Sequence, residues 1–172
     1  MHGRDQVLDL AELPQASVGA PQPFVCASEG RLLLVYDLER LPSGGPVAHM
    51  VDPGSQPTPA ALIDFHGVRA ITWGLPNDEA LSGHPLARHG LRWYAAQEVR
   101  HSSWISELEH RNRVHPRHNT AAFQRLRHFI FTFHDSTLEC LAEEFSASIF
   151  PSGRTEALAE CQRRAESGEP AA

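Results

Sequence analysis

The chain has 172 residues, 41% hydrophobic and 21% charged, with a formal net charge of −6, which fits one domain able to bury a core without help from a disulfide or a metal. All 15 basic side chains of the Lys/Arg class are arginine, and without lysine there is no Schiff-base or P-loop chemistry, so PLP catalysis and Walker-type nucleotide hydrolysis are excluded. No stretch approaches the roughly 20 apolar residues of a membrane span, the opening MHGRDQVLDLAELPQ lacks the apolar run of a signal peptide, and Cys26, Cys140 and Cys161 form no C-x-x-C pair, so a cytoplasmic protein without a disulfide framework is expected.

Residues 1–22 read as a flexible N-terminal arm, with a helical turn near Val7–Leu10 and punctuation by Pro14, Gly19 and Pro21. The globular domain is expected over 23–150. It opens with PFVCASEGRLLLVYDLE, two apolar runs about Ser28-Glu29-Gly30, which predicts a hairpin. Leu32, Leu34 and Tyr36 alternate with Leu33 and Val35, so the second strand is apolar on both faces and belongs in the middle of a sheet. Residues 41–60, rich in Pro, Gly and Ser, predict a long surface loop. ALIDFHGVRAITWG reads as two short strands about His66-Gly67. Asn77 then caps a helical turn whose Asp78 and Glu79 complement the helix dipole.

LRWYAAQEVRHS fits a strand, and Ser102 or Ser103 caps a helix that runs to about Asn112 with Trp104, Ile105 and Leu108 as its apolar stripe. RHFIFTFHD is the strongest strand pattern in the chain, with Phe129, Phe131 and Phe133 on one face and His128, Ile130, Thr132 and His134 on the other. Residues 137–142 fit a strand paired with it, although Leu138, Leu141, Ala142, Phe145 and Ile149 also recur at helical spacing. Residues 151–172 read as a polar tail, a solvated helix that frays into disorder. The fold expected is α+β and β-rich: a mostly antiparallel rolled sheet or sandwich with one main helix.

Charge is unevenly spread. Residues 100–128 hold six arginines and five of the 11 histidines against Glu107 and Glu109, whereas residues 135–172 carry eight acids against three arginines. The basic stretch nominates Arg111, Arg113, Arg117, His118, Arg127 and His128 as a surface for a small anionic ligand. The acidic balance of the whole chain argues against nucleic acid. Asp78, Glu79 and His84 are a candidate metal set, since carboxylates and imidazole suit a divalent ion.

His134, His101 and Glu139 are the candidate acid–base groups. His134-Asp135-Ser136 is not a triad, because neighbours on a strand point to opposite faces. His128 and His134, six residues apart, lie about 20 Å from one another along a strand, too far for one metal. No string names a cofactor. The primary expectation is a non-catalytic binding or accessory protein that engages a small anionic ligand or a protein partner; an uncovered strand edge leaves homodimer pairing open. The alternative is a small His/carboxylate enzyme, hydrolase or isomerase, with or without a metal. That alternative requires at least three of Asp78, Glu79, His84, His101, His134 and Glu139 to converge in one pocket.

Overall fold

The computed structural model describes residues 5–39 and 57–167. Among these described residues nine strands form two sheets, and every pairing between them is antiparallel. The strands are β1 (Gln6–Asp9), β2 (Phe24–Ser28), β3 (Arg31–Asp37), β4 (Ala60–His66), β5 (Ala70–Gly74), β6 (Ala96–Arg100), β7 (Arg127–Thr132), β8 (Thr137–Ala142) and β9 (Glu144–Phe150). The helices are α1 (Ser103–Asn112), α2 (Thr120–Gln124) and α3 (Arg154–Ser167), and a 3-10 turn spans Asp78–Gly83. A five-stranded sheet has the order β1-β6-β7-β8-β5 and a four-stranded sheet the order β2-β3-β4-β9. The fold is α+β and β-rich.

Strand alternation builds the space between the sheets. Phe129, Phe131 and Phe133 meet Leu32, Leu34 and Tyr36 of β3 and Ile63 and Phe65 of β4, all buried. Phe65 lies 5.2 Å from Phe129 and meets Phe131 edge-on at 5.9 Å, geometries that add about 1 kcal/mol per pair to the effect of burial. The opposite face of the four-stranded sheet is also apolar, and Leu33, Val35 and Leu62 pack there against Ala157 and Cys161 of α3.

Two strands pass from one sheet into the other. Ala60 faces Phe150 and His66 faces Glu144; beyond the corner, Ala70 faces Leu141 and Gly74 faces Thr137. β4–β5 and β8–β9 therefore form one long antiparallel ribbon, folded over the core with a one-residue change of register at the bend. Gly67 sits at that corner with φ of +65°, and a Cβ there would come within 2.6 Å of Glu143 Cγ. Only glycine fits both the backbone angle and the space.

The ends of the chain differ from expectation. Residues 5–22 are not a loose arm: β1 pairs with β6, Leu10, Leu13 and Ala16 enter the central core, and the Tyr36 hydroxyl donates to the Pro14 carbonyl. Residues 151–167 are not a polar tail either, because α3 is longer than α1 and packs on the four-stranded sheet. Asp64, fully buried, clamps α3 in place. It receives Arg31 at 2.9 and 2.8 Å and Arg164 of α3 at 3.3 Å, while Arg31 also donates to the Arg164 carbonyl. The strand expected over 91–102 begins only at Ala96, because Tyr94 takes a left-handed φ of +54°. Residues 144–149, whose spacing also admitted a helix, form β9. Most of the 41–60 loop and the end beyond 167 lie outside the described residues.

Candidate functional site

The outward face of the five-stranded sheet carries the polar cluster. On β7 the phenylalanines point inward, so His128 and Ile130 point outward; on β8 Leu138 and Cys140 point inward, so Glu139 points outward. Thr72 of β5 stands opposite Glu139. The 3-10 turn delivers His84 over this face, and its start is fixed by Asn77, whose side chain accepts from the Ala80 amide at 3.2 Å. α1 crosses the same face, capped by the Ser102 side chain, which accepts from the Ile105 amide at 3.2 Å. Asp5 holds the same end of α1 from outside, accepting from the Ser103 amide at 2.6 Å and the Ser103 hydroxyl at 2.7 Å.

Between these elements lies an open groove of about 850 Å³. Glu139 is at its floor. Oε2 accepts from His128 Nε2 at 2.9 Å; Oε1 accepts from His84 Nε2 at 3.2 Å and from the Thr72 hydroxyl at 3.4 Å. The His84 and His128 side chains are only 7% and 4% exposed, and Glu139 16%. Burial alone would raise the Glu139 carboxyl, but the hydrogen bonds from His128 and His84 outweigh it and bring it down to about 2.

The proton positions follow from the partners. His84 Nδ1 accepts from the Leu86 amide at 3.1 Å, so its proton is on Nε2 and points at Glu139. His128 directs Nε2 at Glu139 and is met at Nδ1 by Ser102 Oγ at 2.9 Å. With both imidazoles neutral, the Ser102 hydroxyl closes the network by donating to His128 Nδ1. Trp104 forms a wall, its ring 5.1 Å from that of His128 and steeply inclined to it. Ser102, His128 and Glu139 are connected in the order of a catalytic triad, yet Ser102 is 5% exposed, does not line the groove and uses its oxygen to cap α1. It is a positioning group, without the access a nucleophile needs.

The residues singled out from sequence are redistributed. Glu139, His128 and His84, nominated for three different roles, come together. Asp78 leaves the metal set: its Oδ2 accepts from His134 Nδ1 at 2.8 Å and from the Tyr94 hydroxyl, and its carbonyl accepts from the Trp93 indole. Glu79 is exposed in the same turn. Among the described residues, no group of three or more His, Cys, Asp or Glu side chains is placed to hold a metal ion. His101 is exposed at the β6–α1 turn, apart from the groove lining. His84 and Glu139 therefore meet, Asp78 and His134 meet elsewhere, and the required convergence of three expected acid–base groups does not occur.

The basic stretch is not one anion surface. Arg111 pairs with Glu107, Arg113 with Glu109 at 3.6 Å, and Arg127 with Glu98 at 2.7 Å while lying over the Phe129 ring. His118 is 3.5 Å from Glu109, and Arg117 is exposed. Sequence reasoning did not find Ser102 as the partner of His128, Thr72 as a donor to Glu139, or Tyr94 as the partner of Asp78. Capping marked Ser102, but nothing local pairs it with a histidine 26 residues away.

The Asp78–His134 pair has a different character from the groove. Hydrogen bonds from Tyr94 and His134 hold the Asp78 carboxyl below its ordinary range, and Asp78 in turn raises His134. His134 remains half exposed. Comparison with protein-family models, curated proteins and solved structures finds no match to this chain.

Proposed function

We propose that the protein is a non-catalytic binding module that takes a small polar molecule in the groove over the five-stranded sheet. The observation that supports this reading is the saturation of the floor: all four ring nitrogens of His84 and His128 are engaged with Leu86, Ser102 and Glu139. A general acid or base must present an atom to the substrate, and these imidazoles present none. A preformed concavity of this volume with a few fixed polar groups suits a small ligand better than the flat face of a protein partner. A cytoplasmic location, with three cysteines outside any disulfide, goes with this proposal.

Titration with small amines, alcohols and acids, followed by NMR at the ring protons of His84, Trp104 and His128, tests it. Ser106 lines the groove, so Ser106→Trp fills it and is expected to weaken binding at least tenfold. A fragment that binds without moving those signals, or binds the filled variant equally well, overturns the reading.

One observation favours a second reading, an acid–base enzyme. Asp78 accepts from His134 Nδ1 and the ring is half exposed, the arrangement in which a carboxylate orients a working histidine. If that reading holds, His134→Ala abolishes turnover of a substrate while leaving groove binding intact.

A further inference from the structure

The floor of the groove has committed its donors but not its acceptor. His84 and His128 direct their Nε2 protons at Glu139, and Thr72 directs its hydroxyl there as well. On the α1 wall, the Ser103 hydroxyl donates to Asp5 and the Ser106 hydroxyl to the Ser102 carbonyl. A carboxylate offers about four lone-pair sites. The three donors named leave one on Glu139, which retains some exposure to the groove.

Charge points the same way. With neutral imidazoles, the network carries one full negative charge in a place largely sheltered from water, where its field is screened less than at the surface. Asp5, Glu107, Glu109, His110 and Arg113 also line the groove; Glu107 is paired with Arg111 and Glu109 with Arg113, which leaves Asp5 as the wall carboxylate without an arginine partner among the described residues. Trp104 adds an aromatic surface of the kind that attracts cations. An anion would meet the Glu139 carboxylate at the floor and that of Asp5 on the wall.

We infer that the ligand of this groove presents a positively charged donor, a primary ammonium, to Glu139. This rests on the groove being a binding site and reverses the sign of ligand expected from the arginine-rich sequence. Of the arginines that suggested an anion, Arg111, Arg113 and Arg127 are each paired with an acid, whereas the acidic floor comes from Glu139 of β8.

Three probes of similar shape test it: benzylammonium, benzyl alcohol and benzoate, each titrated into the full chain near neutral pH and followed at the His84, Trp104 and His128 ring signals. The expected order is benzylammonium at least tenfold tighter than benzyl alcohol, with benzoate weakest. In Glu139→Gln the preference for benzylammonium over benzyl alcohol should fall to less than twofold. Equal binding of all three probes, or tighter binding of benzoate, overturns the inference but leaves the groove as a binding site. No shift at the groove with any probe overturns both. A variant that keeps the full ammonium preference removes Glu139 as its source; if the variant does not fold, the order of the three probes on the parent protein still decides the sign of the ligand.

Discussion

Replacing Glu139 by glutamine should reshape the acid limb of the stability curve. The carboxyl lies at about 2 in the folded chain against an ordinary 4.5, and its side chain is only 16% exposed. A pKa depressed by folding stabilises the native state above the unfolded value, and that stability is lost as pH falls through the folded one. The shift corresponds to about 3 kcal/mol at neutral pH, lost between about pH 5 and pH 2, with roughly 2 kcal/mol of it gone by pH 3. Glutamine does not titrate, and its amide NH2 must face one of the two imidazole protons that now point at a carboxylate oxygen. The variant should be less stable at pH 7, and the gap to the parent should narrow by about 2 kcal/mol between pH 7 and pH 3. Urea unfolding at a series of pH values, read by tryptophan fluorescence, measures both curves; other acids contribute to each and cancel in the difference. A gap that stays constant from pH 7 to pH 3 would refute the network as drawn.

Two further outcomes follow from clusters away from the groove. Asp64→Ala leaves Arg31 and Arg164 without their shared buried carboxylate and should cost about 3–5 kcal/mol, with amide exchange in α3 accelerating more than in β7; a loss under about 1 kcal/mol would place the clamp elsewhere. Asp78→Asn should move the His134 titration, read by NMR, down toward an ordinary histidine value, since the Asp78 hydrogen bond is the main cause of its rise, with Asp135 and Glu79 adding to it. Because that pKa is raised by folding, the pair's contribution is present below the unfolded histidine value and lost as pH climbs through the raised one; an unmoved titration would break the assignment.

The sheet interior was legible because it is periodic. Phe129, Phe131 and Phe133 alternate with His128, Ile130, Thr132 and His134, and Leu32 to Tyr36 are apolar on both faces, so these strands declared themselves and their depth. The cap at Asn77 and the helix after Ser102 were legible for the same local reason. β1 was not: a four-residue edge strand gains its hydrogen bonds from β6 and needs no pattern of its own. α3 was misread as solvated because only Ala157 and Cys161 are buried in it, and the clamp that holds it is a carboxylate on β4.

From its own residues, then, the chain determined which segments alternate, which turns are capped, and that no lysine stands among them for a P-loop or a Schiff base. The tertiary structure decided which polar groups meet. His84, His128 and Glu139 come from a 3-10 turn and two strands, and sequence spacing had assigned them to three separate roles. Local pattern tells a side chain which face of its own element it occupies; the element that will cover that face is chosen by sheet order and by the folded β4–β5 and β8–β9 ribbon, which are set by packing across the whole core. The sign of the groove was hidden for that reason: Arg111, Arg113 and Arg127 each meet an acid, while one carboxylate, Glu139, was carried beneath two imidazoles and the Thr72 hydroxyl, which together leave it one acceptor site.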